Sequence, residues 1–427
     1  MRVAYFTPLN PLKSGISDWA EELLPELKRF FEIELFVGVN PGKISNNAIK
    51  TQFKVHPLSD YDDENVRASF DVALFQAGNN GEIHEPLMKV FMKYGGILEL
   101  HDVAMHHYLY NRTVGCNNVD LYFKILDYCH GKYAIDEAKR EFEGKRKRLY
   151  NEPLKYCGTK HFIDRSDAVI VHSDFARQMV KGIAPDKKVI VIPLHCAEIV
   201  DDAHGRKLEA RKALGIPEAR IVIASFGFVN YEKRILQVIE QIKNISRLTR
   251  QDFRYYIVGQ NNIPELESVI KGLDIADRVV CTGSVSLELF KTYMVASDLC
   301  FNLRFPTQGE SSASLMRLLG YGKQVVVTDI GSFHDFPDEY VYKVRYGIYE
   351  GADILRCLIK FFKNHKNDRS EEILSYTKEN FSLSKTAERY KYALCEGNDF
   401  STYEDMLADR IMEYYPYHQS ILRKIMG

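Results

Sequence analysis

The chain has no long hydrophobic run. None of its stretches approaches the ~18 apolar residues a membrane-spanning helix needs, so any membrane contact is expected to be peripheral. The short apolar opening that ends at Pro8 is too brief for the core of a signal peptide. An excess of one charge is also missing. With 57 basic against 58 acidic residues, and a formal net charge of -1, there is no global field to hold nucleic acid by counterion release. The eight cysteines are scattered without a C-x-x-C pair, which argues against a metal cage and a disulfide framework and for a reducing cytoplasm. No 20 to 50 residue repeat and no low-complexity tract appears.

What is present suits two α/β domains. A length of 427 residues exceeds one ordinary core and fits two of roughly 200 residues each. The opening VAYFTP reads as a buried strand, followed by a Pro-, Ser- and Gly-bearing loop and an apolar-periodic helix through Trp19, Leu23, Leu24 and Leu27. Further apolar runs at Ile33 to Val37, Val72 to Phe75, Gly96 to Leu100, Ala168 to Val171 and Val189 to Ile192 alternate with helical stretches. That rhythm predicts a parallel sheet with crossover helices. A second series follows: IVIASFG, YYIVG, VVCTG, DLCFNL, QVVVTD and VYKV. The predicted division is a first Rossmann-like domain over 1–195, a second over 196–385, and a helical tail over 386–427 packing back on the first domain. The hinge is expected between Cys196 and Pro217, a charged and weakly patterned segment.

Ligands of open parallel sheets bind beyond the carboxyl ends of the strands, so the loops there carry the argument. The segment RFPTQGESSASLMRLLGYG places Pro306, Gly309 and Glu310 in a loop, with Ser311, Ser312, Ala313 and Ser314 opening a helix that Gly322 ends. Small residues at a helix start leave amides open to an anion such as a diphosphate; a plain serine cap explains the same pattern. At this point the sequence resembles the family 4 retaining glycosyltransferases of GT-B fold, with their Glu-x7-Glu motif. It is most similar to a branch of bacterial surface-polysaccharide mannosyl- and glucosyltransferases that open with Pro-x-x-x-Gly-Ile-x-Asp, here Pro11 to Asp18. Arg317 falls where the motif's second Glu stands.

The resemblance implies two Rossmann-like domains whose parallel sheets face each other across a cleft. It also implies hexose transfer, of mannose or glucose type, from a nucleoside-diphosphate sugar to a saccharide or lipid-linked acceptor. Lys233 matches the family lysine, Phe228 stands at the family arginine, and Arg234 is the candidate to supply the guanidinium. His101, directly after a buried strand, aligns with a histidine placed against the donor sugar. The expected catalytic set is therefore His101, Lys233 and Glu310. Donor contacts are expected from Gly15, Gly227, Arg234, Gly283, Val285, Ser311, Ser312 and Ser314. Asn79, His84, His106 and His107 are secondary candidates. No metal is expected, although His101, Asp102, His106 and His107 cluster in sequence, because helix amides and a cation neutralise the diphosphate. The basic run Lys145 to Arg148 reads as a solvated helix end or as a contact for a lipid phosphate or the inner membrane face. Two rivals stay open: a nucleotide-sugar epimerase and a non-catalytic sugar-binding partner subunit.

Overall fold

A computed structural model describes residues 1–396. The first sheet has seven parallel strands, β1 (Arg2–Phe6), β2 (Glu32–Val37), β3 (Lys54–Pro57), β4 (Val72–Ala77), β5 (Ile97–Leu100), β6 (Val169–Val171) and β7 (Val189–Val191), in the order β3-β2-β1-β4-β5-β6-β7. The second has six, β8 (Ile221–Phe226), β9 (Phe253–Val258), β10 (Val279–Gly283), β11 (Leu299–Asn302), β12 (Gln324–Thr328) and β13 (Val341–Val344), in the order β10-β9-β8-β11-β12-β13. Every ladder in both sheets is parallel. Helices cover both faces, so strands such as β8 are apolar without alternation and buried along their whole length.

Strand order reverses beside β1 in the first sheet and beside β8 in the second. Such switch points part the loops at the carboxyl ends and open a crevice there. All six strands expected in the second half are present. In the first half β3 was not expected. It lies at the sheet edge, and its sequence Lys-Val-His-Pro is polar, partly exposed and closed by a proline, so it lacks the apolar run of a central strand.

The chain crosses between the domains twice. After β7 the segment Ile192 to Val200 lies against the helix Ala313–Gly320. There the Val200 amide donates to the Gly320 carbonyl at 3.0 Å, and Gly320 sits too close to Glu198 for any side chain. A helix at Ala203–Ala213 then leads into β8. The return passes Phe381, whose carbonyl accepts from the Cys196 amide at 2.6 Å. The following helix Leu383–Lys391 packs on the first-domain helix Gly15–Leu27. Its Tyr390 is wholly buried and donates to Glu99 on β5. The rest of the expected tail, 397–427, lies outside the described residues. No helix among the described residues is long and apolar enough to cross a membrane.

Candidate functional site

The second domain's contribution starts at the end of β8. Gly227 has φ +93°, and a Cβ there would stand 2.7 Å from the Lys233 Nζ, so only glycine lets the lysine fold back over the strand end. Lys233 Nζ donates to the Phe226 carbonyl at 2.5 Å. Burial, reinforced by the nearby Arg304 charge, pulls its pKa down to about 8. Sequence reasoning overlooked Arg304, which lies just past β11. Its guanidinium holds Glu310 Oε1 at 2.7 Å. Glu310 Oε2 accepts from the Thr307 hydroxyl at 2.8 Å and the Gln308 amide at 2.6 Å. A carboxylate offers about four acceptor positions, so Glu310 is fixed by its own loop with one left for a ligand.

The helix after this loop is capped by Ser312, whose hydroxyl accepts from the Leu315 amide at 3.2 Å and from Asn302 at 3.1 Å. Ser314 closes the cluster, 3.0 Å from the Ser312 hydroxyl. The helix itself begins at Ala313, two residues after Ser311, where the sequence suggested it opens, because Ser312 is extended at ψ 108° and acts as the cap.

The first domain's contribution is the loop after β5. His101 Nδ1 lies 3.2 Å from His172 Nε2 at the end of β6, and the His101 ring meets the edge of Trp19 at 4.9 Å. Burial, with His172, His84 and His195 around it, pushes the His101 pKa well down, so the ring is neutral. Asp102 accepts from the Asn79 amide at 2.8 Å. Burial and then the charge of Glu310 raise the Asp102 pKa to about 7. That coupling sets the first domain's His101–Asp102 loop against the second domain's Glu310.

The two loops are joined by hydrogen bonds through Gln308. Its carbonyl accepts from the Ala104 amide at 3.0 Å, its side-chain oxygen accepts from Asn79, and its amide nitrogen lies 2.9 Å from His107 Nδ1. Gly309, at φ +74°, lies so near Val103 that a Cβ would approach a valine methyl to 2.2 Å. Other bonds between the domains are Phe175 N to Asp335 at 3.0 Å and Arg317 to Glu22 at 3.6 Å. A cavity of about 430 Å³ also lies between the domains, walled by His172, Ser311, Ser312, Ser332 and Phe336 among others. His101, Lys233 and Glu310 are not among its walls.

Residues 220–345 match the family model described as "Glycosyl transferases group 1". The chain is 25% identical over 201 residues to the alpha-D-kanosaminyltransferase of Streptomyces kanamyceticus, a match spanning 46% of this chain and 49% of that relative. The match therefore spans about half the length of this curated relative. Among solved structures, HepE of Anabaena in complex with UDP-glucose superimposes with a TM-score of 0.60 at 12% identity, covering 93% of this chain and 100% of that one. The lipopolysaccharide-biosynthesis glycosyltransferase WaaG gives 0.58 at 12% identity, over 92% and 100%. A sucrose-phosphate synthase from Thermosynechococcus elongatus gives 0.59 at 12% identity, over 96% and 100%.

The fold is GT-B. The stretch of its second domain that matches the group 1 glycosyl transferase model runs from β8 to the end of β13 and includes Lys233, Arg304 and Glu310.

Within this GT-B frame the remaining candidates are spread unevenly. Lys233 closes a short 3-10 turn, and the following helix starts at Ile235, so Lys233 and Arg234 lie before that helix. Arg234 adopts a left-handed backbone, φ 58°, and the Nε and Nη2 edge of its guanidinium is taken by Glu350, at 2.8 and 2.6 Å. The fork is thus committed to the start of the helix Glu350–Asn364. Gly15 is the exposed first residue of its helix, with open space where a Cβ would be. Gly283 ends β10 at φ +67°, with Val285 two residues on and half-buried. His84 is buried against the Gln76 carbonyl on the side of His101, whose pKa it helps to lower, whereas His106 is bound between Tyr156 and Tyr122. The His101, Asp102, His106 and His107 cluster weighed for a metal is therefore dispersed. Glu99, His101 and His172 do present ligand atoms within 4.8 Å of one another. The basic run falls past its helix, which ends at Phe142, and Arg146 pairs with Glu137 and Glu152.

Proposed function

We propose that the chain is a retaining glycosyltransferase of the family 4 type. It would move a hexose of mannose or glucose type from a nucleoside-diphosphate sugar to a hydroxyl of a saccharide or lipid-linked acceptor, at or near the inner membrane face. The observation that carries the reading is the meeting of loops at the carboxyl ends of the two sheets. Lys233 and Arg304 stand at the carboxyl ends of β8 and β11, and the Glu310 loop is bonded to the His101–Asp102 loop at the end of β5.

In this reading the base lies toward Gly283 and Val285. The diphosphate lies between Lys233 and the amides opening the helix at Ala313, with Ser311, Ser312 and Ser314 around it. Glu310 and His101 face the sugar, and Gly15 leaves room at the opposite wall. As the glycosidic bond breaks, negative charge grows on the leaving phosphate. A lysine and a guanidinium already in position stabilise that charge more than the ground state. The acceptor hydroxyl attacks from the face the phosphate leaves. Cations and helix amides supply the neutralisation that a metal ion would otherwise provide, so turnover should persist in EDTA. Arg234, held by Glu350, is more useful in shaping this wall than in touching phosphate.

The test is a thermal-shift and hydrolysis screen against UDP-, GDP- and ADP-sugars in EDTA. One stabilising donor that is slowly hydrolysed supports a transferase. Interconversion of donor sugars supports the epimerase, and absence of any donor effect supports a non-catalytic partner.

A further inference from the structure

We propose that His172 is a positioning residue for His101: it holds the His101 ring as the Nδ1–H tautomer, so that Nε2 meets the substrate as a hydrogen-bond acceptor. The inference rests on the transferase reading for its substrate, but its geometry stands apart from it. His172 Nδ1 lies 2.8 Å from the Ile192 carbonyl oxygen, which can only accept, so Nδ1 carries the proton. Burial pulls the His172 pKa down to about 4, and the ring is neutral. Its Nε2 is therefore a lone pair, and it faces His101 Nδ1 at 3.2 Å. Two facing lone pairs would repel, so the proton of the neutral His101 sits on Nδ1. The hydrogen bond made by one ring nitrogen thus fixes what the other can do.

A second observation points the same way. His101 Nε2 is buried without a hydrogen-bond partner among the described residues. Leaving such an acceptor unmet costs about 1–3 kcal/mol, which a hydroxyl of a bound ligand would recover. The surroundings reinforce the arrangement. Trp19 packs its ring 4.9 Å from His101, 5.5 Å from His172 and 5.3 Å from His195, which limits rotation of all three imidazoles. Glu99 stands behind, 3.6 Å from His172 Nε2 and held by Tyr390 and Gln76. At that distance it makes no hydrogen bond to His172 Nε2, which leaves that nitrogen to His101.

The test uses full-length protein and long-range proton–nitrogen correlation of the imidazoles, with no donor sugar required. The wild type should show His101 as the Nδ1–H tautomer. His172→Leu removes the acceptor and should shift His101 toward Nε2–H, lowering kcat roughly 100-fold with little change in nucleoside-diphosphate affinity. His172→Gln places an amide oxygen near the lost nitrogen and should restore both the tautomer and most of the turnover. Melting curves of the two variants identify any folding defect, and the glutamine variant keeps the test alive if the leucine variant misfolds. An Nε2–H tautomer in the wild type, an unchanged tautomer in His172→Leu, or stoichiometric zinc bound in the wild type would each overturn the proposal. An Nδ1–H tautomer in a wild type that turns over no donor would uphold the positioning and refute the transferase reading instead.

Discussion

Gly309→Ala should separate the two halves of the site while leaving each half intact. The native φ is +74°, where alanine costs about 1–2 kcal/mol, and the new Cβ would stand 2.2 Å from the Val103 methyl. Ordinary contact begins near 3.4 Å, so the loop must retreat by more than 1 Å. Val103 is buried and β-branched, which leaves it little freedom to move aside. Overpacking of this kind costs about 1–3 kcal/mol. The nearest reporter is the Ala104 amide, which donates across the domains to the Gln308 carbonyl at 3.0 Å. Its hydrogen exchange should accelerate roughly 10- to 100-fold, following the loss of docking free energy. Donor turnover should fall at least as far, whereas nucleotide binding to the second domain should change little. Gly283→Ala is the control: its φ is +67° but nothing lies within 4 Å of the new Cβ, so it carries strain without collision. Unchanged Ala104 exchange in Gly309→Ala, or equal effects in both variants, would refute the argument.

Nucleotide affinity should decline as pH rises through about 8, because the lowered pKa of Lys233 means its charge is present below that value and lost above it. The decline should approach tenfold per unit and vanish in Lys233→Ala when binding is titrated by calorimetry. Gly227→Ala should cost at least tenfold in turnover, since alanine is strained at φ +93° and its Cβ, 2.7 Å from the Lys233 Nζ, would push the ammonium aside; steady-state hydrolysis rates check this. Glu99 is fully buried and its pKa is raised by burial from 4.5 to about 7, so the folded state holds this proton more tightly than the unfolded chain. The stability it contributes is present below about 4.5 and lost as pH rises through 7. Glu99→Gln should flatten that part of the denaturant-derived stability profile by on the order of 3 kcal/mol.

The strands of both sheets were legible wherever burial on two faces demanded an unbroken apolar run, as in Ile-Val-Ile-Ala-Ser-Phe of β8. At the edge strand β3 that demand disappears, and so does the signal. The Gly309–Ser314 loop could be found because glycine, a lone carboxylate and small residues before an apolar helix are a local pattern. The partners of these residues were not local. Arg234 looked free in sequence, yet it is tied to a glutamate at position 350. Arg304 directly follows Leu303 at the end of β11, a position that could have marked it, but its bond to Glu310 depends on the curl of the loop between them. His172 and Trp19, which frame His101, lie 71 positions after it and 82 before it, beyond the reach of any spacing rule.

The most direct measurement is the rate of donor-sugar hydrolysis in EDTA by the wild type, Lys233→Ala and Glu310→Ala, across UDP-, GDP- and ADP-sugars. The account predicts slow release of sugar from one donor class by the wild type, and loss of that release in both variants while the fold persists. Wild-type release that either variant retains in full, or a donor bound and hydrolysed only when a divalent metal is supplied, would contradict it.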